Sequence, residues 1–326
     1  MATLWDTRGS DVVTALAAER RNAGSVASGC VLTLVVVVEE KDVGTAEEAA
    51  AHAAQQHPLR LLIVIRRQID APVPRLDAEV TIGGRLGPGE SVVMRMYGRL
   101  ALHAESVVLP LLAPDAPVVT WWHAAPPDLI ATDPLGVLAD RRITDSQRAE
   151  DSRAALEQRG HDYAPGDVDL SWARITLWRS ELASAFDTLR STATSAGVRG
   201  GAGDSGTLLL AGWLSSRLGL PVPVEPGRRD GIDGVTIGLA DKNTLRLRRV
   251  NPTHVVLERD GVANSTSPNA ERDLSDVLAE ELRHLDADQI YGDALGAAFG
   301  LTGLNERPET REHIWRDPMQ PAGTTA

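Results

Sequence analysis

Gly201, Gly203 and Gly206 stand in a GxGxxG spacing, and Glu225 follows nineteen residues after the last glycine. In a dinucleotide site such glycines let backbone N–H groups approach a pyrophosphate at a helix start. The later acid binds a ribose hydroxyl. The same residues also describe a plain polar loop in which Asp204 or Ser205 caps the next helix. Two features favour the loop. The segment from Ser191 to Arg199 is small and polar rather than an apolar strand, and Asp204 puts negative charge where phosphate would sit.

A second constellation runs from Asp169 to Arg179 and holds Trp172, Arg174, Trp178 and Arg179. Asp169 is placed to cap a helix, its carboxylate accepting from first-turn N–H groups. At about 100° per residue, Ile175, Trp178, Leu182, Phe186 and Leu189 share one core face. Trp172 and Arg179 share a flank, and Arg174 lies one turn before Trp178, within reach for a guanidinium to stack on the indole. Tryptophan beside arginine is the chemistry of a protein–protein contact centre. The competing reading is an amphipathic helix whose arginines reach solvent.

Other chemistry is sparse. His52 and His57 are five apart and fall on different helix faces, and His103 and His123 read as structural. Cys30 is the only cysteine, so no internal disulfide and no CxxC site exists. It reads as a small core residue. The sequence holds no HExxH, GxSxG or P-loop. Asp140, Asp145, Glu150 and Asp151, interleaved with Arg141, Arg142 and Arg148, read as a solvated charged surface. Neither a metal nor a cofactor is expected.

The elements that must position these residues alternate. Asp11 to Arg21 reads as a helix capped by Asp11, and Cys30 to Glu39 as a buried strand. Thr45 to Glu48 reads as a capping box opening a helix to about Gln56, and Leu59 to Arg66 as the next strand. Strands are expected at Val80–Gly83 and Ser91–Tyr97, with Gly87-Pro88-Gly89 turning between them. Ala104–Leu112 reads as a short helix. Pro117–Trp122, ending in Trp121 and Trp122, and Arg142–Thr144 read as strands, and Asp133-Pro134 as a helix start. Beyond Asp169 one helix is expected to Arg190, then a Gly/Ser loop over 195–206 and a helix from Thr207 to Arg217 closed by Gly219. Strands follow near 221–224, 235–239, 244–249 and 253–259, and helices over 274–285 and 287–299. Asn264-Ser265-Thr266 reads as a polar loop. The pattern is mixed α/β in two domains. Residues 1–165 form an α/β unit with a mixed sheet, and 166–303 an α+β unit with a strand meander flanked by helices. A mobile tail follows over 304–326, in which Ile314 and Trp315 can dock.

The net charge is −12 over 326 residues, against general nucleic-acid or anionic-lipid binding. The positive charge is nearly all arginine, with lysine only at 41 and 242. Met1 to Asn22 lacks an apolar signal stretch, and the run from Val31 to Val38 is far shorter than a membrane span. The expected location is the cytoplasm.

Taken in series, the segments resemble a known family. Val107-Val108-Leu109-Pro110-Leu111-Leu112-Ala113-Pro114-Asp115-Ala116-Pro117-Val118-Val119-Thr120-Trp121-Trp122 resembles the central motif of the glucose-6-phosphate dehydrogenase assembly protein family, OpcA. Asp133-Pro134-Leu135-Gly136, Arg142-Ile143-Thr144-Asp145-Ser146 and Tyr163 through Arg174 resemble its next landmarks. The fit runs over roughly residues 10 to 300. The resemblance implies a non-catalytic partner of glucose-6-phosphate dehydrogenase. Such a partner promotes the enzyme's oligomerisation or activates it allosterically in support of the oxidative pentose phosphate pathway. It also implies an actinobacterial type, which the arginine-rich composition suits. Cyanobacterial members are linked to thioredoxin through cysteines, and with Cys30 alone an internal thiol switch does not carry over. The residues expected at the partner contact are Trp121, Trp122, Asp169, Trp172, Arg174, Trp178 and Arg179. In the competing reading Trp121, Trp122 and Trp178 are core, and Trp172 and the arginines stay exposed. The other function classes are an NADP- or sugar-phosphate-binding oxidoreductase, or a metabolite sensor, using Gly201, Gly203, Gly206 and Glu225.

Overall fold

Continuous apolar runs build the first sheet. The structure, a computed structural model, describes residues 1–23, 30–56, 58–83, 89–189 and 191–308. Its first sheet contains β1 (Ala2–Leu4), β2 (Leu32–Val37), β3 (Leu59–Arg67), β4 (Arg75–Ile82), β5 (Glu90–Tyr97), β6 (Val118–Trp122), β7 (Arg141–Thr144) and β8 (Asp167–Asp169). The order is β1-β4-β5-β3-β2-β6-β7-β8. Strands β5, β3, β2, β6, β7 and β8 run parallel, β4 is antiparallel to β5, and β1 is antiparallel to β4. β8 closes this sheet just past residue 165, where the sequence suggested a division.

Parallel strands are buried on both faces, which is why these read as unbroken runs rather than alternation. Leu34, Val36, Leu61 and Ile63 enter one core. Val35, Val37, Leu62 and Val64 enter the other. Trp121 and Trp122, adjacent on β6, therefore fill opposite cores. From β2 the chain moves outward to β3 and β5, and from β6 the other way to β7 and β8. The reversal between β2 and β6 is a topological switch point of a doubly wound sheet.

Helix α1 (Gly9–Asn22) supplies Val12 and Leu16 to one core, and α2 (Val43–Ala54) lays its alanines on the other. Both starts differ from expectation. Asp11 lies inside the first turn of α1, its carboxylate accepting from the Arg8 N–H at 3.3 Å. Thr45 lies inside α2, which begins at Val43 without a side-chain cap. Short helices α3 (Arg99–Leu102) and α4 (Glu105–Val108) occupy the expected 104–112 region and its approach. α5 (Pro134–Val137) starts as expected, with Asp133 accepting from the Leu135 N–H. α6 (Ser152–Asp162) follows.

The expected long helix after Asp169 is two: α7 (Leu170–Arg174) and α8 (Thr176–Asp187), parted at Ile175, whose ψ of 5° leaves the helical range. The glycine segment also differs. β9 (Ala193–Gly200) leads into it, α9 (Ser205–Leu218) follows, and β10 (Val224–Pro226) lies parallel to β9. This βαβ unit was hidden because β9 reads Ala-Thr-Ser-Ala-Gly-Val-Arg-Gly, with only Ala196, Val198 and Gly200 buried. β11 (Ile232–Leu239), β12 (Thr244–Asn251), β13 (His254–Arg259) and β14 (Val262–Pro268) complete the meander, in the order β10-β9-β11-β12-β13-β14. β14 contains the Asn264-Ser265-Thr266 segment expected as a loop, an exposed polar edge strand without hydrophobic signal.

Helices α10 (Leu274–Glu281) and α11 (Gln289–Phe299) finish the described chain. α11 crosses α9 in near contact, and only glycine permits it. A Cβ on Gly212 would lie 2.1 Å from the Ala294 carbonyl oxygen. α10 packs on α2, and one continuous core joins the first sheet to the second. His57, residues 87–88 of the expected turn, Arg190, and the tail from residue 309 with Ile314 and Trp315 lie outside the described residues.

Candidate functional site

The two constellations singled out by sequence meet at the junction of the sheets. Asp169, at the end of β8, is fully buried. Its Oδ1 accepts from the Ser171 N–H at 3.0 Å, the cap expected for α7. Its Oδ2 accepts from Thr144 Oγ1 (2.9 Å), the Ser146 N–H (2.7 Å) and Ser146 Oγ (2.7 Å). The carboxylate accepts four hydrogen bonds and ties the end of β7 to α7. It is a strut, fully buried and away from any partner's reach.

Arg174 grips Asp145 bidentately at 2.6 and 2.8 Å rather than stacking on Trp178. Burial pushes the Asp145 carboxyl up, opposed by that guanidinium. Asp145, Arg141 and Arg142 were expected on a solvated surface, but all three are buried. They were misread because charge alternating along a short segment looks the same on a surface as in a paired interior. Arg141 reaches Glu281 at 2.5 Å and the Asp286 carbonyl at 2.8 Å, joining β7 to α10 and the loop after it. Arg142 pairs with Asp167 and donates to the Pro165 carbonyl at 2.8 Å.

All four candidate indoles are interior. Trp121, Trp122, Trp172 and Trp178 are at most 3% exposed, so Trp172 is not the open side chain expected of it. Trp172 donates from Nε1 to Asp288 Oδ2 at 2.7 Å, while Asp288 Oδ1 caps α11 by accepting from the Tyr291 N–H at 3.0 Å. The Arg179 guanidinium covers the Trp172 ring at 3.5 Å, the neighbourhood their shared flank suggested. Burial lowers the Arg179 pKa. The cation near Trp178 is Arg249, 5.2 Å away.

Beside Trp178 lies a cavity of about 180 Å³. Its wall includes Arg174, Gly206, Arg229, Arg249 and Asn269. Arg249 is held by carbonyl and amide oxygens alone: Pro252 O, Asn269 O, Asn269 Oδ1 and, at 3.4 Å, Ile232 O. Burial lowers its pKa, and the nearby Arg229 charge adds to that. Arg249 was missed, yet a signal existed. Leu245, Leu247 and residue 249 share one face of β12 by period two, so an arginine stands at an inward position.

The glycine loop itself is otherwise disposed. Asp204 turns its carboxylate onto the start of α9, accepting from Thr207 N–H and Thr207 Oγ1, both at 2.7 Å. It thus fills the anion position that a dinucleotide would need. Glu225 lies on β10, 3.1 Å from Arg199, and both are exposed. A Cβ on Gly203 would meet nothing within 4 Å, and one on Gly201 would lie 3.2 Å from Asp204 Cβ.

A second cavity of about 680 Å³ opens at the carboxyl ends of β2, β6 and β7, the switch-point position. The loop after β2 reads Glu39-Glu40-Lys41-Asp42, acidic and without glycine. His123 lines this cavity, 3% exposed, with neither ring nitrogen hydrogen-bonded. Burial depresses its pKa from 6.5 to about 4. The unfolded chain therefore takes the proton first. His123 contributes stability that is present above pH 6.5 and lost as pH falls toward about 4, up to about 3 kcal/mol. Urea unfolding at pH 7 and pH 4.5 is expected to show a smaller drop for His123→Leu than for the native chain. Equal drops would remove His123 from the acid response.

Among the described residues no group of three or more His, Cys, Asp or Glu side chains is arranged for a metal, and no helix is long and apolar enough to cross a membrane. His52 lies 3.4 Å from Asp276. Cys30 is half-buried just before β2, not inside it, and burial raises its thiol pKa.

Residues 50–161 match the family model for the N-terminal domain of the glucose-6-phosphate dehydrogenase subunit. Residues 165–295 match the model for the corresponding C-terminal domain. The chain belongs to the OpcA family. The two matches adjoin just before β8, the last strand of the first sheet, which falls within the C-terminal match. No curated protein matches. Among solved structures, the chain is similar to the 3-ketoreductase KijD10 from Actinomadura kijaniata with NADP and TDP-benzene, at 14% identity and a TM-score of 0.39, covering 87% of this chain and 99% of that one. It is also similar to an oxidoreductase from Sinorhizobium meliloti at 11% identity and a TM-score of 0.35, covering 81% and 86%. At these values neither likeness carries a functional argument.

Proposed function

We propose that this OpcA-family chain is a non-catalytic partner of glucose-6-phosphate dehydrogenase that assembles or allosterically activates the enzyme in the cytoplasm. The observation that carries this reading is the pair of family matches over 50–161 and 165–295, both named for that dehydrogenase. An activator must bind the active state or oligomer more tightly than the alternative. A preference of about 2 kcal/mol shifts the balance roughly thirty-fold.

The proposed units, 1–165 and 166–303, share the first sheet through β8 and one core that holds Trp121, Trp172 and Trp178, while Trp122 lies in the first sheet's other core. Arg174 and Arg179, both half-buried, are the members of the set that retain solvent-facing surface. The partner contact is proposed at their rim.

The test is the dehydrogenase from the same organism, assayed across glucose 6-phosphate concentrations with and without this protein, with light scattering on the same mixtures. A co-eluting complex with lower KM or higher kcat is the expected result. Neither complex nor kinetic change would reject the reading. Arg179→Ala is expected to weaken the complex at least several-fold with the fold intact. Arg174→Ala strips buried Asp145 of its partner, so its effect is read beside its melting temperature. Normal binding by both variants would place the contact elsewhere.

A further inference from the structure

We propose that the arginine-lined cavity between the start of α9 and the meander binds the phosphate group of a small phosphorylated metabolite. Three observations on different elements converge there. Arg249, at the end of β12, has only neutral acceptors, and one N–H of its Nη2 is left over. Arg229, exposed before β11, has no carboxylate partner among the described residues, and its charge acts against that of Arg249, opposed by Glu271 and Asp233. Asn269, after β14, is 2% exposed, and its Nδ2 has no acceptor. Its Oδ1 accepts from Arg249 at 2.9 Å, which fixes the amide's orientation and leaves the Nδ2 donor as the unpaired end. A buried donor without an acceptor is rare in native proteins.

An anion in this cavity answers all three at once. It relieves the repulsion between two guanidinium groups and gives Asn269 an acceptor. Donors approaching from separate elements suit a tetrahedral phosphate better than a planar carboxylate, and arginine's fork matches phosphate oxygens in pairs. Gly206, in the first turn of α9, lies on the same wall, at a helix start that Asp204 already caps. Asp204, Asp230 and Glu271 also line the cavity; Asp204 is turned onto Thr207, Asp230 and Glu271 are exposed as Arg229 is, and the Glu271 charge favours the charged form of Arg249. Arg174 and Arg272 are committed to Asp145 and Glu280. The site lies beside the glycine loop rather than in it, since Asp204 already occupies the loop's own anion position.

The site is independent of the dehydrogenase, so it is tested on the full chain alone. Isothermal titration would use inorganic phosphate, glucose 6-phosphate and NADP as separate probes, with Arg229→Ala, Arg249→Gln and Gly203→Glu as variants. At least one probe is expected to bind, about ten-fold more weakly in Arg229→Ala, with affinity falling as salt rises. Arg229 makes no contact that the fold needs, so Arg229→Ala stays informative even if Arg249→Gln fails to fold. Preference for glucose 6-phosphate would assign a sugar carrier, and preference for NADP a nucleotide carrier. Equal binding of inorganic phosphate would assign the bare group. Absence of binding at millimolar concentration overturns the proposal. So does binding that Arg229→Ala leaves unchanged, or binding lost only in Gly203→Glu.

Discussion

Trp172→Ala is expected to destabilise the protein by about 3–5 kcal/mol, the range for emptying a buried aromatic site. Trp172 is 2% exposed and lies where α7, α8 and α11 meet. Its ring packs against Tyr291, with centroids 5.8 Å apart, and carries Arg179 on its face. Alanine there leaves a cavity, removes the surface that holds Arg179, and takes the Nε1 donor from Asp288. Trp172→Phe separates these effects. It keeps an aromatic ring under Arg179 but loses the charge-assisted hydrogen bond, worth about 1.5–3 kcal/mol, and part of the indole's volume, so a cost between that value and the alanine variant's is expected. Urea unfolding midpoints at constant slope measure both. If Trp172→Ala stays within about 1 kcal/mol of the native chain yet abolishes the dehydrogenase complex, the indole is an exposed hot spot and its buried arrangement is wrong. The expected outcome is loss of stability first. Any loss of binding then follows from a junction that no longer holds its shape.

That ambiguity between core and contact was already present in the sequence, because period and composition locate a face without saying what covers it. Ile175, Trp178 and Leu182 share a face by their spacing, and all three are buried. The same spacing could not show that α11 and its cap Asp288 come down on the other flank, over a hundred residues further along the chain. The parallel strands were legible because burial on both faces leaves unbroken apolar runs at 34–38 and 61–65. β9 and β14 were not, since strands whose outward residues are small or polar share their composition with loops. Capping reads were right where the side chain had no competitor, at Asp133 and Asp169. They failed by a turn at Asp11 and Thr45, where the helix extends further toward its N-terminus than the polar residue suggests. Of the candidate site, the residue types were visible and their partners were not. Asp145, Glu281 and Asn269 carry no local pattern that names Arg174, Arg141 or Arg249. Pairing across the fold is a property of topology, and only the inward position of Arg249 on β12 announced itself.

Glu281→Ala is expected to cost about 3–5 kcal/mol, as breaking one side of a buried ion pair does. Arg141 and Glu281 are 2% and 5% exposed, and they lie 140 positions apart on β7 and α10. Burial pushes the Glu281 carboxyl up while the Arg141 guanidinium pulls it down. Truncating the glutamate leaves a guanidinium in the interior with the Asp286 carbonyl as its remaining acceptor. The double variant Arg141→Met with Glu281→Leu removes both charges and fills similar volume. It is expected to lie closer to the native chain than either single variant, because the desolvation of two ions is removed with their attraction. A double-mutant cycle by urea unfolding reads the coupling. Single variants within about 1 kcal/mol of native would mean a pair as weak as an exposed one. The functional consequence separates stability from orientation. α10 rests on α2 of the first sheet, so the pair fixes how the second half is set against the first. An apolar replacement that restores stability but not the proposed binding to the dehydrogenase would show that the charge pair positions the halves, a task that hydrophobic packing alone does not perform.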